Sequence, residues 1–497
     1  MTFINKIFNK ENKFVYNTFL VIVSGLIVKS LGLLNKIFIT RLLSTNGMSL
    51  YILAFPTIIL FISLSGFSLN TTASKLIAES IASKKYSPKK IINSCLKLAI
   101  ITSSIVELCF LLSLSFLVNS LLKTPDLYYP LLMTAFLIPL VGVTDTFRGV
   151  FAGLQQMNIV SKVNIIEQIT RISFSIGGIL LFSKYGVIPA VSITIFALTI
   201  GEACSLFYLL LKLKKINIPS YKNTNDEKKA VWKMAFPTTL SRLIGSFTYF
   251  LEPIINTLVL LKIGFNKNLI DYDYTVINAY VIPLLTICVF LSNALSTTAI
   301  PAISEKSSTN KNDDTLNLID KIFFMALIPG IIISILLFFY PNDYLQLLFS
   351  TSNGSIYIKK YVFIFLFHYI QSPGIAILQA LGNSKKVLSI CSFYNVLRLL
   401  LIFIFAYFTN FGTYSIFYAI ITTMVLETLT IWIQIRKITL FIPNKNKILN
   451  LILIIFFILV FVLFLNIILN NYIIKSIILI FLYFYLIFKF KIIKKRV

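Results

Sequence analysis

The stretch ILNLILIIFFILVFVLFLNIIL, residues 448–469, carries no charged side chain over its whole length. The hydrocarbon core of a bilayer is about 30 Å thick, and a helix of about 20 apolar residues spans it. Such a run is too long for a strand of a membrane barrel and lacks the alternation of apolar and polar residues found there. The stretch therefore predicts a helix that crosses a membrane.

Runs of the same character occur along the rest of the chain. The predicted fold class is an all-α integral membrane protein with about 14 transmembrane helices. The approximate limits of the predicted spans are 15–39, 49–73, 91–119, 128–152, 163–183, 187–211, 233–261, 275–300, 318–340, 357–381, 386–408, 412–435, 448–469 and 473–489.

Composition agrees with this class and excludes others. Of the 497 residues, 57% are hydrophobic and 13% are charged, whereas soluble domains carry about 25% charged residues. A soluble multidomain enzyme is thereby excluded. The 45 basic residues, against 18 acidic ones, interrupt apolar runs instead of forming a polar domain, so we expect no nucleic-acid partner. The five cysteines lie singly in apolar runs, which indicates small buried side chains and not a disulfide scaffold.

Basic residues are concentrated in alternate connections. Lys and Arg favour the cytoplasmic side of membrane proteins, so we expect both termini in the cytoplasm, as an even number of spans also requires. No cleavable signal peptide is recognised. The basic segments are the N-terminus, the connections after predicted spans 2, 6, 10 and 12, and the C-terminal tail.

The first six spans are repeated by the next six. The motif that begins at Lys29 in span 1 returns at Arg242 in span 7, and Glu202 in span 6 corresponds to Glu427 in span 12. Repeats with an even number of spans run the same way through the bilayer, as in transporters with parallel repeats. We predict two repeated six-helix lobes around a central cavity, plus two extra C-terminal helices. The predicted parts are an N-terminal lobe 1–211, a linker 212–232, a C-terminal lobe 233–437, and spans 13–14 with a basic tail 438–497.

Ionisable groups inside spans are costly and mark functional sites by default. Lys29 and Lys36 are two helical turns apart on one face of span 1, and Arg242, Tyr249 and Glu252 share one face of span 7. Two converging cations suit a phosphate or pyrophosphate group, which offers charge and acceptor oxygens. Three alternatives are open: Lys36 extends to the membrane surface, Lys29 pairs with a distant acid, or Glu252 neutralises Arg242.

Other charged residues in spans favour structural explanations. Glu167 and Arg171 are four residues apart and predict an ion pair within one helix. Arg148, which follows Asp145 by three residues, is expected to anchor the cytoplasmic end of its span.

Glu202 and Glu427 are candidates for coupling to a proton or sodium ion, and pairing with lysines of the connections is an equal alternative. The single histidine, His368, is expected to be packed or to line a cavity, and it cannot build a metal site with its neighbours. We find no motif for nucleotide binding, zinc-dependent hydrolysis or a serine nucleophile. We therefore expect no enzymatic activity and no cofactor, with energy from an ion gradient, the membrane potential or the substrate gradient.

Five segments resemble the polysaccharide-flippase branch of the multidrug/oligosaccharidyl-lipid/polysaccharide exporter superfamily, especially its stage V sporulation protein B group. Each segment is short, and their order and spacing carry the resemblance, which covers about residues 20–435. The segments are KSLGLLNK at 29–36, GMSLYILAFP at 47–56, FRGVFAGLQ at 147–155, FPTTLSRLIG at 236–245 and AIPAISE at 299–305.

The resemblance implies a flippase that moves an undecaprenyl-pyrophosphate-linked sugar across the bacterial cytoplasmic membrane by alternating access. The cargo would be lipid II or a related cell-wall or polysaccharide precursor. The implied partners are the bilayer, the lipid-linked glycan and a monovalent cation, and the protein would act as a monomer. Within the implied site, Lys29, Lys36 and Arg242 hold the pyrophosphate, and the sugar lies near Asn35, Tyr249 and Glu252.

MurJ-type lipid II flippases are similar relatives, but the chain departs from them at two places. Asn35 stands at an Arg position of that group, and Ala279, Tyr280 and Val281 stand where it has an acid–Arg pair. These departures favour the sporulation or general polysaccharide branch. The alternative function is a Na⁺- or H⁺-coupled multidrug or metabolite exporter of the same superfamily, which predicts an essential acid in an N-lobe span. A membrane scaffold without transport activity has no use for buried cations at matched positions of two repeats.

Overall fold

The structure is a computed structural model that describes residues 13–84, 86–221, 226–308, 312–490 and 492. Its α-helices over these ranges are labelled in chain order. They are α1 (Lys13–Leu42), α2 (Thr45–Gly66), α3 (Leu69–Ser83), α4 (Pro88–Phe116), α5 (Tyr128–Leu132), α6 (Leu137–Gly153), α7 (Met157–Phe182), α8 (Val187–Leu213), α9 (Glu227–Ile263), α10 (Lys267–Thr275), α11 (Ile282–Leu285), α12 (Val289–Ser308), α13 (Asn312–Phe339), α14 (Pro341–Phe349), α15 (Ser355–Tyr361), α16 (Leu366–Ala380), α17 (Ser384–Phe408), α18 (Ser415–Thr439), α19 (Lys445–Ile468) and α20 (Tyr472–Lys489).

The predicted membrane class is confirmed. Within the described ranges, 11 helices are long and apolar enough to cross a membrane, and the number rises to as many as 14 if each of three bent pairs forms one span. The bent pairs are Pro125–Leu132 with Leu137–Gly153, Lys267–Leu285 with Val289–Ser296, and Ser355–Tyr361 with Leu366–Ala380. These helices and pairs coincide with the fourteen predicted runs, because hydropathy is a local property that needs no tertiary information.

The described residues form two compact units. The described residues within Met1–Thr275 and Ala406–Thr413 form one unit, and those within Val276–Phe405 and Tyr414–Val497 form the other. The limits differ from the predicted lobes, because α9 packs against α2, α3 and α4 of the first unit. Val231 and Ala235 of α9 lie in a buried cluster of α3 and α4 side chains, and Trp232 stacks on Phe67 with ring centroids 5.8 Å apart. The division into lobes at 212–232 stays a prediction.

In the first unit, close helix contacts hold α6 against α3. A Cβ atom at Gly149 would lie 2.3 Å from the backbone oxygen of Asn70, and one at Gly153 would lie 2.7 Å from the oxygen of Ser74. Only hydrogen fits on the Cα atom at such distances, so glycine permits the backbones to approach each other. This packing fixes the position of Arg148, which precedes Gly149.

In the second unit, the C-terminal helices α19 and α20 pack against α13. A continuous buried cluster joins side chains of all three helices, among them Ile335, Ile458 and Tyr483. The Tyr483 hydroxyl donates a hydrogen bond to the backbone oxygen of Ile328 at 3.0 Å. The two helices that follow the repeats are therefore an integral part of the core of this unit, a role that their apolar sequence alone left open.

Candidate functional site

The first unit contains a group of charged side chains around Arg148 of α6. Its guanidinium donates to Glu202 of α8 through Nη1 and Nη2, at 2.9 and 3.0 Å, and to Glu167 of α7 through Nη2 at 2.8 Å. Asp145 lies 3.4 Å from Nη1, and Arg171 pairs with Glu167 from one turn further along α7. We call these five residues the Arg148 cluster. Its two guanidinium groups face three carboxylates, so the cluster carries one negative charge when all members are ionised.

Glycines let helices approach each other closely at two places around the Arg148 cluster. A Cβ atom at Gly201 would lie 3.1 Å from the backbone oxygen of Glu167, so α8 approaches α7 closely beside Glu202. A Cβ atom at Gly66 would lie 3.0 Å from a carboxylate oxygen of Asp145, which brings the end of α2 next to the cluster. The planar fork of arginine suits this site because it can serve several carboxylates at once.

Two expectations for these residues were incomplete, and one was wrong. The Glu167–Arg171 ion pair is confirmed, but it is not isolated, because Glu167 also accepts from Arg148. Glu202 pairs with Arg148 and not with a lysine of a connection. The expectation that Arg148 anchors the end of its span is wrong: its side chain is only 12% exposed and lies at the centre of the cluster. Glu167 and Glu202 lie on two other helices, so no spacing rule within one helix reveals them as partners of Arg148.

The predicted residues of α1 lie on a helix that contacts α7. Ser24 donates to Ser161 at 2.8 Å and ties the two helices together. Lys29 is exposed, Lys36 is half-buried, and Asn35 between them is buried. The side-chain oxygen of Asn35 has no hydrogen-bond partner among the described residues. Four basic residues and no acidic one occur in the helix from Lys13 to Leu42.

The predicted residues of α9 fall into two groups. Arg242 is exposed and lies close enough to Asp145 to interact with its carboxylate electrostatically. Glu252 is buried and lies beside Tyr249 and Tyr274. Glu252 stands ten residues after Arg242, which corresponds to about 15 Å along the axis of the helix. The charge of Arg242 thus interacts with Asp145 of α6, which the sequence did not predict. Convergence of Arg242 with Lys29 stays a prediction.

The second unit has its own polar group around Glu427 of α18, the repeat counterpart of Glu202. Glu427 is buried and makes side-chain hydrogen bonds with Cys391 and Gln371. Gln371 also bonds to His368 at 2.8 Å, and Arg398 donates to Thr423 at 3.2 Å. His368 is therefore packed in a polar network, as expected. Glu427 thus hydrogen-bonds to neutral side chains and interacts electrostatically with Arg398, whereas Glu202 binds Arg148 directly.

The family of the chain follows from comparison of its sequence. Residues 14–307, more than half of the chain, match the polysaccharide biosynthesis protein family. The chain belongs to this family. A similar relative is the stage V sporulation protein B of Bacillus subtilis (strain 168), which is 29% identical over 428 residues, covering 84% of this chain and 83% of the relative.

Two solved structures show that the fold is shared with known transporters. The lipid II flippase MurJ, in an inward closed conformation, matches with a TM-score of 0.69 at 15% identity, over 94% of this chain and 97% of that structure. An inward-facing multidrug resistance MATE transporter of the MOP superfamily matches with a TM-score of 0.66 at 12% identity, over 82% and 94% of the two chains. This member of the polysaccharide biosynthesis family is thus a multi-pass membrane protein with the fold of those transporters.

Proposed function

We propose that the protein moves an undecaprenyl-pyrophosphate-linked sugar from the inner to the outer leaflet of the cytoplasmic membrane by alternating access. Membership of the polysaccharide biosynthesis family supports a glycan-related cargo. The fold likeness to a lipid II flippase supports a lipid-linked one. The proposal covers the class of cargo, with lipid II and related cell-wall precursors as its members.

The charge of α1 is the observation that carries the proposal. A helix that crosses a membrane normally avoids charge, because a cation at its centre costs about 2.5–3.5 kcal/mol or more. Lys29 and Lys36 are nevertheless present in α1, and the helix supplies no acid to neutralise them. A pyrophosphate group carries negative charge and several acceptor oxygens, which lysine and arginine side chains bind well. We assign Lys29, Lys36 and Arg242 to the pyrophosphate, and Asn35, Tyr249 and Glu252 to the sugar.

Reconstitution into proteoliposomes tests the proposal. The exchange of lipid II between leaflets would be measured beside that of a second prenyl-linked oligosaccharide. Lys36→Glu and Arg242→Glu replace attraction of a pyrophosphate by repulsion, so we expect each to reduce exchange at least about tenfold, a change of about 1.4 kcal/mol.

A matched control is Lys262→Glu, which reverses an exposed charge near the C-terminal end of the helix that holds Arg242. It should exchange lipid at the rate of the unaltered protein. Absence of exchange of both lipids by the unaltered protein would refute the flippase function. Full exchange by Lys36→Glu and Arg242→Glu would instead show that these two cations do not bind the pyrophosphate.

The alternative function is export of a drug or metabolite coupled to Na⁺ or H⁺. The Arg148 cluster favours it, because Asp145, Glu167 and Glu202 meet in the first unit, where such coupling requires an acid. Asp145 makes the longest contact with Arg148, at 3.4 Å, and is the carboxylate of the cluster best suited to exchange a proton or bind a cation. Glu427 is the corresponding candidate in the second unit.

The two functions differ in their response to Asp145→Asn. An ion-coupled exporter should lose dye efflux driven by a proton or sodium gradient, with no effect of prenyl-linked sugars on efflux. A flippase should exchange lipid without such efflux. Efflux of a cationic dye by the unaltered protein in proteoliposomes, absent in Asp145→Asn, would favour the exporter over the flippase.

A further inference from the structure

The first unit contains a cavity with a mixed polar and apolar lining at one end of its helices, apart from the residues discussed above. Its volume is about 570 Å³, within the range of about 300–1,000 Å³ that is usual for ligand pockets. Four separate connections contribute to its wall. The lining includes Thr45 and Ser49 at the start of α2, Asp126 before α5, Tyr185 before α8, and Asn268 and Tyr272 of α10.

Specific contacts build this cavity. A Cβ atom at Gly47 would lie 3.3 Å from Val187, so the absence of a side chain lets the first turns of α2 and α8 approach each other. Ser49 donates to the backbone oxygen of Asp271 at 3.4 Å, and Asp271 also pairs with Lys267 one turn earlier in α10. These contacts hold α10 against α2 and fix two walls of the cavity.

The lining combines polar groups with exposed rings. Hydroxyl, amide and carboxylate groups of Ser49, Asn268 and Asp126 offer both donors and acceptors. The Tyr185 ring is 77% exposed, and the Tyr272 ring is 38% exposed. Aromatic rings pack on the C–H faces of a pyranose while its hydroxyls bond to polar groups. The carboxylate of Asp126 disfavours an anionic ligand, whereas that of Asp271 is paired with Lys267. These groups fit a neutral sugar, and the volume of the cavity fits one with more than one ring.

The cavity lies at the ends of the helices opposite to the lysine-rich connections, where a sugar would arrive after transport. Its lining comes from the connections α1–α2, α4–α5, α7–α8 and α9–α10, which lie at the ends of helices opposite to the connections α3–α4 and α8–α9. The latter two contain the lysine-rich segments of this unit. If these segments face the cytoplasm, as the positive-inside rule predicts, the cavity opens outside the cell.

We propose that this cavity is an extracytoplasmic binding site for the neutral glycan portion of the transported lipid. The proposal rests on the proposed function, and it deepens it by adding a site for the sugar that is separate from the cations that hold the pyrophosphate. A site at this end captures the sugar after transfer and disfavours its return. The same site would bind free sugar that carries neither lipid nor phosphate.

The test uses the full-length protein in a detergent without sugar groups. Water-soluble N,N′-diacetylchitobiose and cellobiose serve as probes, and saturation-transfer NMR measures their binding. We expect saturable binding of at least one probe. Tyr185→Ala combined with Asn268→Ala should weaken it at least about tenfold, because both a stacking surface and an amide are lost.

The matched control is Tyr129→Ala, which removes a tyrosine that is 60% exposed at the same end of the unit but outside the cavity lining. It should bind both probes as the unaltered protein does. Absence of binding of both probes, or equal binding by all variants, would overturn the proposal. Thermal stabilisation by Ca²⁺ in place of sugar binding, abolished by Asp126→Asn, would also overturn it and assign the cavity to a cation.

The outcome is distinguishable from that of the proposed function. Lipid exchange without sugar binding would leave the flippase function standing and reject the sugar site. Sugar binding without lipid exchange would reject the flippase function and support a glycan-binding role for the cavity.

Discussion

Arg148 of α6 holds Glu202 of α8 by two parallel hydrogen bonds of 2.9 and 3.0 Å. The two residues are far apart in the sequence and belong to different membrane helices. Arg148 also serves Glu167 and Asp145, so its removal would leave three carboxylates facing Arg171 alone. Removal of one member of a buried ion pair costs about 3–5 kcal/mol in soluble proteins. The Arg148 cluster should therefore be essential for the stability of the first unit.

Glu202→Gln is expected to lower the Tm in detergent by several degrees, because Arg148 loses its bidentate partner. Glu107→Gln is a matched control, since Glu107 lies in a membrane helix of the same unit and makes no ion pair among the described residues. The loss in the double variant with Glu202→Gln and Arg148→Gln should be smaller than the sum of the two single losses, by a coupling energy of about 0.5–3 kcal/mol. Strictly additive effects in scanning fluorimetry would contradict the pairing.

Gly149→Ala is expected to destabilise the first unit, because the new Cβ atom would lie 2.3 Å from the backbone oxygen of Asn70. Backbone cannot yield as a flexible side chain can, so α3 and α6 must separate. Gly177→Ala is the control, because a Cβ atom there meets nothing within 4 Å. It should be neutral or stabilising by about 0.5–1 kcal/mol. Equal Tm values for the two variants would speak against the close approach of α3 and α6.

Tyr483→Ala is expected to release α20 from α13, because the Tyr483 side chain is fully buried and its hydroxyl bonds to Ile328. Loss of a buried aromatic side chain costs about 3–5 kcal/mol. Tyr485→Ala, two residues away and 61% exposed, should change the Tm little. Limited proteolysis after residue 440 would report the release of the C-terminal helices, and identical cleavage of both variants would argue against docking of α20 on α13.

The orientation of the chain is tested by cysteine labelling. In a background without the five native cysteines, Lys184→Cys lies in the connection α7–α8 and Ser220→Cys in the lysine-rich connection α8–α9. A membrane-impermeant maleimide added to intact cells should label the first and not the second, because Lys and Arg favour the cytoplasmic side. The reverse pattern would invert the predicted topology and place the proposed sugar site in the cytoplasm.

The membrane class and the limits of its spans were predictable from the sequence. Each span is a continuous apolar run such as 448–469, and the free energy of its burial in lipid is a sum over its own residues. The Glu167–Arg171 pair was also predictable from nearby residues alone, because residues four apart are neighbours on any helix. Such local rules also placed Lys29 and Lys36 on one face of α1.

Only the tertiary structure decided which charges meet. Asp145, Arg148, Glu167, Arg171 and Glu202 come together because α6, α7 and α8 pack against one another, with Gly201 letting α8 approach α7 closely. The cavity of the first unit is built from four connections that are distant in the chain, and the appended helices α19 and α20 enter the core of the second unit through contacts with α13. These features depend on helix packing, which is set by contacts between distant residues and leaves no periodic signal in the sequence.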